Sequence, residues 1–192
     1  MDRLHEALSF GGILPRESVD HILSHVEDVR LVPQEYFLLP GAISNRLGFV
    51  NEGILRSYAL GPDGEEVTKY FIRPKQFAVD LESYYNNHPS EAALQAVVPT
   101  QVFTIGRNAW NRLSEEIPKM YILMKSLTEA TLLNKIKDND FLNFGTASDK
   151  YREFLRRYPD LAREVPLQYI ASYLKITPQS LSRIRKQLAG KE

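Results

Sequence analysis

The apolar positions of the chain change their period twice. From about Arg3 to Val26 they follow a helical rhythm, with Val19, Ile22, Leu23 and Val26 recurring behind the opening pair Pro15-Arg16. From Glu27 to about Arg107 the period shortens. Short β-rich runs (VRLVP, YFLLPG, RLGFVNEG, ILRSYAL, EVTKYFIRP, LQAVVP and QVFTIG) alternate with Pro40-Gly41, Asn51-Glu52-Gly53 and Gly61-Pro62-Asp63-Gly64. Gly64 closes a Pro-Asp-Gly turn and predicts a hairpin joining Leu55–Leu60 to Val67–Ile72. So many short, regularly punctuated strands predict a β-barrel or a jelly-roll sandwich.

After Arg107 the helical period returns, in a short piece over Asn108–Leu113 and then a long helix from Pro118 to about Phe144. Roughly 26 residues give a rod on the order of 40 Å. Its first half is apolar nearly all round (Met120, Tyr121, Ile122, Leu123, Met124, Leu127, Leu132, Leu133, Ile136), so more than one side must be covered. The β-domain covers one side; the other faces either a second copy or a core within the same chain. Met120, Leu123, Leu127 and Ala130 continue at near-heptad spacing to Asn134, a candidate dimer seam on which one polar residue fixes register. Gly145-Thr146-Ala147-Ser148 breaks the helix as a hinge, and Tyr151–Tyr158 is helical up to Pro159. The expected division is residues 1–116, 117–144 and 145–192.

The stretch Val165–Leu188 carries the most chemical information. Pro166 suits a first helical turn, Ile170, Ala171 and Leu174 share a face, and Ala171 permits close helix contact. A tight turn at Lys175-Ile176 precedes Thr177, a good N-cap, and Pro178, a good first helical residue. The second helix buries Leu181, Ile184 and Leu188 and leaves Gln179, Ser180, Ser182, Arg183 and Lys186 free. Two short helices with a brief turn form a helix-turn-helix. Gln reads adenine, Arg reads guanine, and Ser or Thr bonds phosphate or base. Lys175 occupies a turn position that favours glycine for its positive φ, at a cost of about 1 kcal/mol.

Charge sharpens this picture. The formal net charge is zero, but Lys175, Arg183, Arg185, Lys186 and Lys191 against Glu192 make the segment from Val165 onward +4 and the remainder −4. A basic end on a mildly acidic body suits a phosphate-facing surface. The absence of cysteine excludes disulfides and thiolate metal sites. No apolar run approaches a membrane span, and MDRLHEALSFGG does not read as a signal peptide, so a cytoplasmic protein is expected.

The segment IASYLKITPQSLSRIRKQL is similar to the helix-turn-helix of the CRP/FNR (cyclic-AMP receptor protein) family of bacterial regulators, and LGFVNEGILRSYAL looks like its strand–Gly–strand hairpin. The resemblance implies an α+β fold: an N-terminal β-roll/jelly roll of cyclic-nucleotide-binding type, a long dimerisation helix (117–144), and a C-terminal helix-turn-helix. It implies a homodimer on double-stranded DNA, with Gln179, Ser180 and Arg183 at base-contacting positions and Thr177, Arg185 and Lys186 at phosphates or packing. Two departures stand out. Only four residues follow Leu188, so the wing strands after the recognition helix are expected to be absent or displaced. The effector cassette is divergent: Phe77–Glu82 and Pro89–Ala92 lack the family's Gly-Glu and Arg-Ser/Thr-Ala, and Glu91 stands near the expected phosphate. Without the Arg there is no bidentate clamp, so no tight cyclic-AMP binding is expected.

Other sites are less developed. His21 and His25 lie i, i+4 but read as a surface helix face, and no metal or cofactor is expected. A cupin-like enzyme would need histidines inside the roll, and none lies between His25 and His88. No catalytic residues are assigned. Arg56, Tyr58, Tyr70, Arg73 and Glu82 line an effector pocket for an unidentified small anion, or else Arg56, Tyr58, Tyr70 and Arg73 are outward residues of half-exposed strands. The functional expectation is a dimeric, sequence-specific transcription regulator. The alternative is a small-molecule sensor whose helix-turn-helix engages a protein; steep salt dependence marks the DNA-binding case.

Overall fold

The computed structural model describes residues 1–189, and within the long helix it leaves the side chains of residues 130, 134 and 137–140 outside the description. Ala130 and Asn134 of the expected seam, and Lys191 and Glu192 of the charge count, therefore lie outside the described residues or side chains.

Two short helices, α1 (Asp2–Leu8) and α2 (Arg16–Leu23), replace the single helical stretch expected over residues 3–26; a 3-10 turn at Phe10–Gly12 separates them. Gly11 and Gly12 there both have positive φ, which a continuous helix cannot accommodate. Eight strands follow among the described residues: β1 (Glu27–Leu31), β2 (Tyr36–Leu38), β3 (Arg46–Glu52), β4 (Leu55–Leu60), β5 (Glu66–Ile72), β6 (Phe77–Ala78), β7 (Ala92–Ala96) and β8 (Thr100–Gly106). They form two four-stranded antiparallel sheets, ordered β1-β8-β3-β6 and β2-β7-β4-β5, the two halves of a jelly roll. The expected hairpin pairs Leu55 with Ile72 and Leu60 with Glu66, and Gly64 takes φ +79° in its turn.

Alternation along the strands sorts residues between the inside of the roll and its two outer faces. Val50, Leu55, Ile72, Leu94 and Val102 fill the interior. Leu47, Phe49, Phe103 and Ile105 point out of the first sheet against α1, α2, α4 (Arg107–Glu116) and the start of α5 (Met120–Asn143). The outer face of the second sheet is covered by the C-terminal helices.

Those helices are α6 (Ala147–Arg157), α7 (Pro159–Glu164), α8 (Leu167–Tyr173) and α9 (Pro178–Ala189). Two expectations change here. Ala147 and Ser148, read as hinge, belong to α6, whose capping box pairs the Thr146 side chain with Asp149, so the break narrows to Phe144–Thr146. Pro159, read as a stop, is also the first residue of α7. Phe154, Leu161, Ile170, Ala171, Leu174, Leu181 and Ile184 form the module's core, to which the roll adds Ile54 and Val97. Among the described residues no strand follows Gly106, and no helix is long and apolar enough to cross a membrane.

Candidate nucleic-acid interface and effector cassette

The turn between α8 and α9 is built from local chemistry. Lys175 sits at φ +57°, the left-handed region that the turn demands. Ile176 N–H donates to Ala171 O at 3.0 Å, closing the end of α8. Thr177 Oγ1 accepts from Ser180 N–H at 3.1 Å and caps α9. With Leu181 and Ile184 buried, Thr177, Gln179, Arg183, Arg185 and Lys186 are exposed and Ser180 and Ser182 half-buried. The seven residues expected to meet nucleic acid thus lie on the one helix and its cap. Thr177 also donates to Ser180 Oγ at 2.9 Å, so those two hydroxyls are engaged with each other.

The long helix divides its apolar residues differently from the expected seam. Met120 and Leu123 are buried against the roll, and Leu127 packs on the same cluster. Residues spent on the chain's own core are not available to a second copy. Outward are Tyr121, Ile122, Leu132, Leu133 and Ile136.

The five residues expected to line an effector pocket do not converge on one site, although Arg56 and Tyr58 meet each other. Arg56 and Tyr58 face outward from β4; Tyr70, opposite the inward Ser57, packs against the interior cluster. Arg73 pairs with Asp160 at 3.4 Å and lies over the Tyr158 ring. Glu82 is exposed on α3 (Leu81–Asn86), a helix not anticipated from the sequence, and stands 3.6 Å from His88. The signal for α3 was Asp80, whose carboxylate caps the helix by accepting from Ser83 N–H at 3.2 Å.

Around α3 the cassette closes on itself. Ser90 Oγ donates to the Asp80 carboxylate, and Ser83 Oγ donates to His88 O at 2.6 Å while accepting from Ser44 N–H at 2.9 Å. Arg107 donates to Asn87 Oδ1 at 2.6 Å and lies over the Tyr84 ring. Burial pushes the Tyr84 hydroxyl up to about 12, and that oxygen has no hydrogen-bond partner among the described residues. Lys135 of α5 is exposed as a residue, but its ammonium lies 3.9 Å from the Tyr70 ring centroid. Desolvation there lowers its pKa, opposed by the Asp80 carboxylate. Burial likewise raises Tyr70. Among the described residues, no cluster of three or more His, Asp or Glu is placed to hold a metal; His21 instead faces Glu116 at 3.2 Å and the His25 ring.

The sequence reading overlooked the residues gathered around Arg56: Glu66, Gln95, Tyr169 and Ser172. Arg56 is 2% exposed. Its Nε and Nη2 donate to Gln95 Oε1 at 2.9 and 2.6 Å, Nη2 also meets the Glu66 carboxylate, and the guanidinium lies between the rings of Tyr58 (4.3 Å) and Tyr169 (3.7 Å). Burial, a hydrogen bond with Tyr36 and the nearby Glu66 all push the Tyr58 hydroxyl upward. The available signal was alternation, which sets Arg56 and Tyr58 on the face opposite the inward Leu55.

Comparison with known proteins agrees with this architecture. The solved structure of FixK2 from Bradyrhizobium japonicum is 19% identical, with TM-score 0.71 over 86% of this chain and 85% of that one. The c-di-GMP-responsive global regulator CLP of Xanthomonas campestris is 16% identical, with TM-score 0.72 over 92% and 93%. The Thermus thermophilus catabolite activator protein is 20% identical, with TM-score 0.57 over 96% and 87%. At identities this low the structural likeness shows a shared fold alone. No curated protein matches the sequence. Residues 28–116 match the family model of the cyclic nucleotide-binding domain, so the jelly roll with its flanking helices is of the cyclic nucleotide-binding type.

Proposed function

We propose that this chain is a dimeric, sequence-specific DNA-binding transcription regulator of the CRP/FNR type, reading DNA with α9. The observation that carries the proposal is the α8–α9 unit: a left-handed Lys175, a Thr177 cap and a buried Leu181–Ile184 stripe leave Gln179, Arg183, Arg185 and Lys186 exposed on one helix. Gln179, Ser180 and Arg183 read base edges; Thr177, Ser182, Arg185 and Lys186 serve phosphates and packing. The outward face of α5, with Leu132, Leu133 and Ile136, joins two copies. Their recognition helices then stand about 34 Å apart, one turn of DNA.

The effector side of the proposal is negative for cyclic AMP. Between Phe77 and Ala92 there is no arginine or lysine, Asp80 already holds Ser90, and Glu91 is exposed beside it. A phosphate entering that corner meets the carboxylates of Asp80 and Glu91, and the nearby Arg107 guanidinium is already engaged by Asn87 Oδ1 and Ser44 O. Titration calorimetry with cyclic AMP is expected to show no micromolar binding, and a micromolar isotherm refutes this part.

The test of the main reading is selection from random-sequence DNA by the unliganded protein, followed by sequencing. A palindrome of two half-sites is expected. Arg183→Ala then relaxes one position of each half-site at a cost of about 1–3 kcal/mol, whereas Lys186→Ala weakens all sequences alike and lowers the salt slope by about 1. Selection that enriches no motif, with binding indifferent to salt, overturns the proposal.

A further inference from the structure

The DNA-binding helices do not hang from the long helix alone. The outer face of the second sheet grips α8 at three places. Arg56 of β4 lies buried between Tyr58 of its own strand and Tyr169 of α8, and is held in plane by Gln95 of β7 and Glu66 of β5. Ser172 of α8 accepts from Thr68 N–H at 2.9 Å and donates to Glu66 O at 3.1 Å, taking up two backbone groups of the edge strand β5. Phe71 of β5 meets the Tyr173 ring with centroids 5.4 Å apart. By contrast, the chain between α5 and α6 is three residues, with Gly145 at φ +86°.

We propose that Arg56 is a positioning residue for DNA recognition: clamped between Tyr58 and Tyr169, it fixes α8 on the jelly roll, and through α8 the pose of α9. The roll, rather than the Phe144–Thr146 link, then dictates the separation of the two recognition helices in the dimer. An arginine suits this role because its planar guanidinium stacks on two rings while its edge keeps two hydrogen-bonding partners. Gln95 ties the clamp to the effector side: it sits on β7, which begins at Ala92 directly after the cassette, and its Nε2 donates to Gln34 O at 3.0 Å. A change in the cassette therefore reaches α8 through one strand.

This inference rests on the DNA-binding reading, so one arm of its test is independent of DNA. The chain contains no cysteine, so Asp63→Cys on the β4–β5 turn and Gln187→Cys on α9 carry one spin label each. Labelled protein diluted into unlabelled protein reports the intrachain distance by pulsed dipolar spectroscopy. One narrow distribution is expected for the parent. Tyr169→Leu, which leaves Arg56, Glu66 and Gln95 together in the roll, broadens it; Tyr169→Phe, which keeps the ring, restores it. Arg56→Met is the companion variant, with thermal melting to verify that the roll stays folded.

The second arm measures binding to the selected palindrome and to versions with half-site spacing changed by a few base pairs. Each base pair turns the half-sites by roughly a tenth of a helical turn. The parent is expected to lose on the order of 100-fold on respacing, and Tyr169→Leu only a few-fold, while single half-sites bind both proteins equally. An unchanged distance distribution in Tyr169→Leu overturns the clamp. A broadened distribution with undiminished spacing discrimination overturns its role in positioning. If the parent selects no DNA, the proposed function fails, and the distance measurement still decides whether the clamp holds α8.

Discussion

Replacing Leu132 and Ile136 together by glutamate is expected to convert the proposed dimer to a monomer. The two residues are one helical turn apart on α5, 55% and 51% exposed within the single chain. Fully burying such a side chain is worth about 1.5–3 kcal/mol, so covering the remaining half recovers roughly 1 kcal/mol each. A two-fold axis uses every residue twice, so a dimer loses about 4 kcal/mol, close to a thousand-fold in association constant. Opposed glutamates on the seam add repulsion and desolvation to that loss. Sedimentation velocity over a concentration series reads the change, with circular dichroism as the check on folding. Leu39→Glu, at an equally exposed apolar position on the roll, serves as the control and leaves assembly unchanged. A double variant that associates as the parent does refutes the assignment of this face, as does a parent that is monomeric throughout.

Four further outcomes follow from local geometry. Tyr84→Phe removes a buried hydroxyl without a partner and is expected to stabilise the fold by about 1 kcal/mol in denaturant titration; a comparable loss would mean that the hydroxyl is bonded. With Tyr84 raised to about 12, its contribution to stability is complete below its ordinary value of 10.0 and disappears as pH rises through about 12, which tyrosinate absorbance follows. Hydrogen bonds from Arg156 and then Arg157 hold Glu153 at about 2, so its contribution is present above 4.5 and lost as pH falls to about 2; carbon NMR titration should show that midpoint, moving toward 4.5 in Arg156→Gln/Arg157→Gln. Gly53→Ala places a Cβ 2.3 Å from Pro99 O at φ +83° and is expected to cost more than about 1 kcal/mol; an unchanged melting midpoint refutes the reading of that turn.

What the sequence disclosed were the features whose cause is local. The β4–β5 hairpin is written in Pro62-Asp63-Gly64 and its flanking alternation, and the cap of α9 in Thr177-Pro178. The reach of local signals explains two errors as well. Pro159 ends one helix and begins the next, because a residue without an N–H serves at either side of a break. A helix of six residues such as α3 is too short to show a period, and only its capping Asp80 announces it.

The long helix and Arg56 mark where local reading gives out, for one reason. On α5 the periodicity shows that two sides are apolar but not which side the roll takes; the roll takes Met120 and Leu123, leaving Leu132, Leu133 and Ile136 outward. On β4, alternation places Arg56 opposite the interior, where an arginine is ordinarily solvated. Here it is buried, and α8, more than a hundred positions later in the chain, brings Tyr169 onto it. Burial of a charged side chain is costly unless it is paired, and here Gln95 and Glu66 accept from the guanidinium while two aromatic faces flank it. The arrangement thus joins the residues proposed to recognise DNA, legible in a short stretch of sequence, to residues proposed to set their pose, visible only once the roll and the C-terminal helices are packed together.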